Sequence, residues 1–599
     1  MMKHACIFGV AVLLSAQALN AADLSPGKWP AAEREKLEQQ ENTSWSPPSA
    51  ASVDGSGGMI SATVSPVAVY AGLQALRQGG TAADAAATTA LTQITTQLGS
   101  VVSYAGVFTM VYFDAKTHKV YSMDAGYNSY LNENDPASIP VADFGMALPG
   151  LTPTVGGAKG RETLVPGFMA GVEAMHKRFG KLPFKDLFAP ALWYDQHGVL
   201  ISPHLAGFFA MREKLLSRTP EGQAFLTQAG GTIPKPGSLF KQPELAKTLQ
   251  AISEQGSRYM YTGAWGKKFV TMVQRDGGKV TAEDLARYKP IWSEPYHEKV
   301  FNHTVYVNGA PHYGAYDLLA GLNLAEAMQL DRKGPYWSDA ATLQGLQRIS
   351  EVVSGAPVLN AQVVAFLKSK GVDTSPANQM TKEYAAQVAP LMDELFTVPA
   401  DNGPHHSNGI VVIDKDGNIA AITHTINTVV WGDTGIIVDG IPVPDSAAFQ
   451  QTRLATIKPG DRVPHEIIDT IVLDDANRPV LATGSIGSSL VPESLRVLLG
   501  YLGQHQDLAT LMAQPALLAN LDFGNINQAP GARAVPLVQG AYSLELMAKL
   551  KDAHVNVSEV PTATAAGLRG TLAAIAIDPK TGKRTAANQP GVMVFNAAQ

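Results

Sequence analysis

The chain has 599 residues, 45% of them hydrophobic and 16% charged, with a net charge of −6. That length supports one large or several small globular domains with ample core, and the weakly acidic balance excludes the basic stripe of a nucleic-acid binder. Gly (55) and Pro (38) are plentiful but follow no repeat, which excludes a fibre and fits a chain rich in loops.

In chain order the first element is an address. Met1–His4 is a short basic start, Ala5–Leu19 is an apolar run, and small residues follow in Leu19-Asn20-Ala21-Ala22-Asp23. This is the pattern of a Sec-type signal peptide over residues 1–22, cut after Ala21 or Ala22 and too short for a transmembrane helix. The single cysteine, Cys6, lies inside it. The mature chain is therefore expected to have no disulfide, no thiol nucleophile and no thiolate metal site. No other apolar run is long enough to span a bilayer, so the expected location is periplasmic or secreted.

Residues 23–57, rich in Pro, Ser, Glu and Gln, read as an extended lead-in. The ordered part begins with a short strand at Gly58–Ala62. A helix over Pro66–Arg77 stops at Gly79-Gly80, and an Ala-rich helix covers Ala82–Thr95. Val107–Phe113 and Val120–Asp124 read as strands around the turn Ala115–His118. Helices are expected at Ala170–Phe179 and Leu187–Gly198, then mostly helices to about residue 400, with a strand near Val300–Val307.

Beyond residue 407 strands recur, at 410–413, 419–425, 435–438, 470–473 and 480–483, with helices near 491–503 and 507–518 and closing strands at Leu572–Ile577 and Val592–Phe595. The whole reads as α/β, helices layered on sheets. Ile410–Ile413 and Ile419–Thr425 flank the turn residues Asp414-Lys415-Asp416-Gly417-Asn418, a β-hairpin signal. Ser407 sits at the junction of this hairpin with a polar loop, Asp401–His406.

Cofactor and metal motifs are missing from the sequence. His405-His406 point to opposite sides of an extended segment and cannot share one ion. Gly55–Gly58 lacks the lysine and helix of a phosphate loop. No cofactor and no metal are expected.

Several stretches together resemble the γ-glutamyltransferase (γ-glutamyltranspeptidase) family: Gly58-Met59 with Ala71–Ala85, Val165-Pro166-Gly167 with Arg178–Pro183, then Val412–Asn418, Thr425-Ile426-Asn427 and Thr483-Gly484-Ser485. They occur in the family's order over roughly residues 55 to 597. The resemblance implies an N-terminal-nucleophile hydrolase with a four-layer αββα sandwich. It also implies a precursor that cuts itself, the two pieces forming one domain. Counting back from Asp414–Asn418 places the family's catalytic threonine on Ser407. Cleavage at His406–Ser407 would then give a large subunit, 58–406, and a small subunit, 407–599. The serine hydroxyl can attack the preceding carbonyl and later the substrate, and its freed α-amino group, with a pKa of about 8, can act as base. By the same resemblance Thr425 orients that amino group and Asn427 contacts substrate. Gly487 and Ser488 supply the oxyanion N–H donors, a serine standing where the family has a second glycine.

The departures fall on substrate recognition. Gly126 stands where the family's carboxylate-binding arginine is expected, and glycine cannot replace a bidentate contact. His465-Glu466 replaces a serine pair, and a glutamate there would repel a carboxylate. His465 and Glu466 either shape a new pocket or form a solvated turn. Of the acidic run that holds the α-amino group, only Asp445 could stand in. The expected function is a self-processing amidohydrolase whose small-molecule amide substrate is not a simple γ-glutamyl compound. The alternatives are a γ-glutamyl hydrolase or transferase with an altered pocket, and a non-catalytic binding protein on the same scaffold.

Overall fold

A computed structural model of the chain describes residues 22–43, 49–141, 159–227, 233–353, 361–395, 407–428, 432–487, 489–518 and 534–599. The signal segment, His405, His406 and Ser488 lie outside the described residues.

Two seven-stranded sheets stack face to face. In one, the strand order is Val594–Ala598, Met59–Thr63, Asn408–Ile413, Ile419–Thr425, Val107–Asp114, Lys119–Ala125 and Ile291–Ser293. In the other it is Ala51–Gly55, Arg584–Asn588, Gly570–Ile577, Pro479–Gly487, Ile468–Leu473, His303–Val307 and Tyr296–Val300. Helices cover both outer faces, giving the four-layer αββα sandwich.

The side-chain alternation of the Asn408–Ile413 and Ile419–Thr425 strands explains the layering. Val411, Ile413, Ile419 and Ala421 point between the sheets, where they meet Ile471, Ala482, Ala573 and Ile575. Their neighbours Ile410, Val412, Ala420 and Ile422 point the other way, into the core shared with helices Pro66–Arg77 and Ala82–Thr96. A strand buried on both faces reads as a continuous apolar run because its period-2 pattern has no solvent side. The opposite sheet rests on helices Gly314–Ala327 and Leu490–Leu498 through a separate core that includes Leu318, Leu495, Leu498 and Leu572.

The turn Asp414–Asn418 closes as expected: Asn418 O accepts from Asp414 N–H, Gly417 takes φ +89°, and Asp414 Oδ1 accepts the N–H of Asn418 at 3.0 Å. Asp414 Oδ2 also accepts Ala82 N–H, at the start of the 82–96 helix. That helix is capped by Thr81 and Asp84, and Asp84 in turn accepts from Lys181 and Leu182 N–H. The two motifs around Ala82 and Lys181 are thus tied to the hairpin by one chain of hydrogen bonds.

The stretch expected to be an extended lead-in folds instead as a helix, Ala31–Thr43, and an edge strand, Ala51–Gly55, that pairs with Arg584–Asn588. The helix is built from good helix formers (Ala, Glu, Lys, Gln) and is pinned by buried Leu24, Trp29 and Leu37. Near residue 300 the single expected strand is a hairpin, Tyr296–Val300 with His303–Val307. No described helix is long and apolar enough to cross a membrane.

Candidate active site

Ser407 lies one residue before the Asn408–Ile413 strand and is half-buried. Across the hairpin Asn408 pairs with His424 and Gly409 with Thr423. The ladder ends at the first of these pairs, one residue short of Ser407 on one strand and of Thr425, the last residue of the other. Thr425 is buried, and its Oγ1 accepts the N–H of Asn427 at 3.0 Å. Asn427 takes a left-handed φ of +50°, and its carbonyl accepts from Gln450 Nε2 at 3.2 Å.

The second sheet meets the first at this level. A Cβ on Gly409 would stand 3.0 Å from Gly484 O and 3.4 Å from Ile486 Cγ2, whereas Ile410 N lies toward Gly484. Gly487 has φ +92°, a conformation that any side chain would strain, and it ends its strand paired with Gly570. Asp469, one level with Gly484, joins the sheets: its carboxylate accepts from Thr109 Oγ1 at 2.6 Å, Thr423 Oγ1 at 2.7 Å and Asn308 Nδ2 at 2.9 Å. Burial still raises Asp469 to about 6, against those hydrogen bonds.

The three positions that depart from the family pattern, Gly126, His465 and Glu466, are neighbours. A Cβ on Gly126 would stand 2.7 Å from His465 Nε2 and 2.9 Å from Asp124 Oδ1. Glycine at 126 and histidine at 465 are thus complementary, the imidazole filling space that any side chain at 126 would take. His465 is 2% exposed and Glu466 8%, which sets aside a solvated turn. His465 Nε2 lies 3.0 Å from Asp124 Oδ1, and its ring meets His312 edge-on at 4.3 Å. Glu466 is not an open repelling charge. Its Oε2 sits 3.0 Å from Arg453 Nη1 and accepts from Tyr313 OH at 2.6 Å.

Sequence reasoning missed Arg462, His312 and Arg453, which carry no local signal. Arg462 pairs with the Asp124 carboxylate and donates to Asn128 Oδ1 at 2.6 Å, Lys289 O at 2.8 Å and Asp124 O at 2.8 Å. With its guanidinium so engaged, it does not serve as a free carboxylate ligand in place of the arginine. Burial opposes ionisation of Asp124, yet Arg462 and the His465 hydrogen bond hold its carboxyl well below the usual range. Burial holds His312 at about 3, a neutral imidazole.

Asp445 is fully buried near Glu162 and Asp433, the three offering carboxylate oxygens within 4.8 Å of one another. Lys159 bridges Glu162 and Asp433, at 2.6 and 2.9 Å, and Arg218 pairs with Asp433 at 3.0 Å. Burial, reinforced by Asp433, raises Asp445 to about 7 although Thr428 opposes the shift.

The sequence profile of the Gamma-glutamyltranspeptidase family matches residues 68–590. The chain belongs to this family. Among named relatives it is 29% identical to the Glutathione hydrolase proenzyme of Pseudomonas aeruginosa over 385 residues, 61% of this chain and 63% of that one. It is 25% identical to the Glutathione hydrolase proenzyme of Bacillus subtilis over 503 residues, 78% and 81% of the two chains. The first relatives are matched over less than two thirds of their own length, 63% for the Pseudomonas protein and 55% for Glutathione hydrolase 3 of Arabidopsis thaliana. Among solved structures, cephalosporin acylase from Bacillus halodurans has the same fold. It superposes with a TM-score of 0.72 at 18% identity, over 92% of this chain and 97% of that one.

Proposed function

We propose that this chain is a self-processing N-terminal-nucleophile amidohydrolase that cleaves an amide through an acyl-enzyme on Ser407. The observation that supports the reading is the position of Ser407, one residue before the Asn408–Ile413 strand, whose hairpin partner ends at Thr425. In the precursor, Ser407 Oγ attacks the carbonyl of His406. The acyl group moves from nitrogen to oxygen, which frees the α-amino group, and water then hydrolyses the ester to release the His406 carboxylate and the Ser407 hydroxyl. That amine, near neutral in its basicity, takes the hydroxyl proton as Ser407 attacks the substrate carbonyl, and Thr425 orients it. The negative charge on the carbonyl oxygen is met by the N–H groups of Gly487 and Ser488, each such donor contributing about 3–4 kcal/mol to lowering the barrier. The leaving amine departs with the proton, and water, activated by the same amine, hydrolyses the ester.

Two features support a substrate other than a simple γ-glutamyl compound. The space at Gly126 is closed by His465 rather than opened for a carboxylate, and the nearest arginine, Arg462, is engaged by Asp124. The fold match to a cephalosporin acylase is in keeping with amide chemistry on another acyl group. By the family resemblance Asp445 and Asn427 contact a polar part of the substrate, and His465 and Glu466 stand where the family's carboxylate-binding serine pair is. The signal-peptide pattern of residues 1–22 supports export to the periplasm or beyond, with a large piece (58–406) and a small piece (407–599) from one precursor.

The buried acids around Asp445 favour a second reading, a γ-glutamyl hydrolase that holds its substrate by the amino group alone. The names of the relatives, glutathione hydrolases, agree with it. Amine release from a panel of N-acyl amides and a γ-glutamyl anilide separates the two. The first reading expects turnover of other amides, lost in Ser407→Ala, and little from the anilide. Preferred turnover of the anilide would establish the second.

A further inference from the structure

The fold brings together Asp124, His312 and His465, from a strand end and two separate loops. All three are buried, and their ligand atoms lie within 4.8 Å of one another. His312 Nε2 is 3.5 Å from Asp124 Oδ1, and His465 Nε2 is 3.0 Å from the same oxygen. A tetrahedral zinc site with bonds of about 2.0–2.1 Å has donors roughly 3.3 Å apart, and the two separations bracket that value.

Two further observations point to a ligand here. His312 is wholly buried, yet neither ring nitrogen has a hydrogen-bond partner, and its Nε2 is turned toward Asp124. Leaving a buried polar group unpaired is destabilising, so a partner is expected. The position a Cβ would take on Gly126 lies 2.7 Å from His465 Nε2 and 2.9 Å from Asp124 Oδ1, so only glycine lets these two donors stand together here. Arg462 grips the other oxygen of Asp124 and fixes the carboxylate with Oδ1 toward both imidazoles, the outer-shell support that metal carboxylates carry.

We propose that Asp124, His312 and His465 form a binding site for a divalent cation of the zinc class, capped by Gly126. Two imidazoles and one carboxylate suit zinc and the neighbouring late first-row ions better than magnesium or calcium. Binding through Nε2 takes the neutral His465 tautomer whose one proton sits on Nδ1, the Nε2 contact with Asp124 giving way to the two metal bonds. A bound dication restores positive charge at the spot where the family has its arginine. The site does not depend on the identity of the nucleophile.

The test is zinc content by elemental analysis of the purified full chain, loaded with zinc chloride and desalted, followed by cobalt(II) substitution. Wild type is expected to retain one zinc per chain and to give the visible absorption of four-coordinate cobalt. His312→Ala and His465→Gln, each checked for native circular dichroism, should weaken zinc binding at least tenfold, whereas a His405→Ala/His406→Ala variant should bind as wild type. Retention of no zinc by wild type, or equal retention in the His312 and His465 variants, would overturn the proposal.

Discussion

Gly126→Ala is a small change with a defined cost. The added Cβ would lie 2.7 Å from His465 Nε2 and 2.9 Å from Asp124 Oδ1, against an ordinary contact of about 3.5–4.0 Å. Neither neighbour can step aside cheaply. His465 is buried against His312, and Asp124 is held by Arg462. Overpacking of this kind costs about 1–3 kcal/mol. With an unfolding entropy of about 2.1 cal/mol/K per residue, 599 residues melting together give about 1.3 kcal/mol/K. The midpoint should therefore fall by about 1–2 °C, small but resolvable by calorimetry on chelator-treated protein. His465→Ala should also destabilise, by losing the Asp124 hydrogen bond. The double variant should be less destabilised than the sum by about 1 kcal/mol, because removing the imidazole vacates the space that the new methyl needs. A Gly126→Ala midpoint equal to wild type, or strictly additive effects, would refute the complementarity of the two positions.

Other perturbations follow from the same geometry. Arg453→Met should cost about 3–5 kcal/mol by leaving the buried Glu466 charge without its cation. Adding Glu466→Gln should recover part of the loss in urea midpoints, and no recovery would count against the pairing. Asp445, raised by burial to about 7 from an unfolded value of about 3.9, binds more proton when folded between those values. Its contribution to stability is complete below pH 4 and is lost as the pH rises through 7. Asp445→Asn should flatten that part of the pH–midpoint curve, and an unchanged slope would contradict the burial argument. Gly487→Val forces a β-branched residue to φ +92° with its Cβ 3.0 Å from Arg569 O. It should lower kcat by about 10²–10³-fold if the N–H at this turn holds the oxyanion. A folded variant with unchanged kcat would remove Gly487 from the site.

The hairpin, its turn and its buried strands were legible because period-2 apolar runs and Asp414–Asn418 turn chemistry are local. The pocket was not. Asp124 and His465 are 341 residues apart, and nothing near either one announces the other. For Glu466 the sequence left a pocket wall and a solvated turn both open, because its partners, Arg453 and Tyr313, reach it only through the folded chain. Likewise Asp469 looks like a polar residue at a strand start, yet it bonds across both sheets. The lead-in was misjudged on composition: Glu, Gln and Ala are also good helix formers, and three apolar residues, Leu24, Trp29 and Leu37, suffice to dock it. Where partners are set by topology rather than by spacing, the sequence alone names the candidates but not their neighbours.

Ser407 as an N-terminal nucleophile is tested most directly by intact mass and N-terminal sequencing of the purified mature protein. Two chains are expected, the smaller beginning at Ser407 and ending at Gln599, with Ser407→Ala leaving one uncut chain. A wild-type protein that stays in one piece, or a new N-terminus at any other residue, would contradict it.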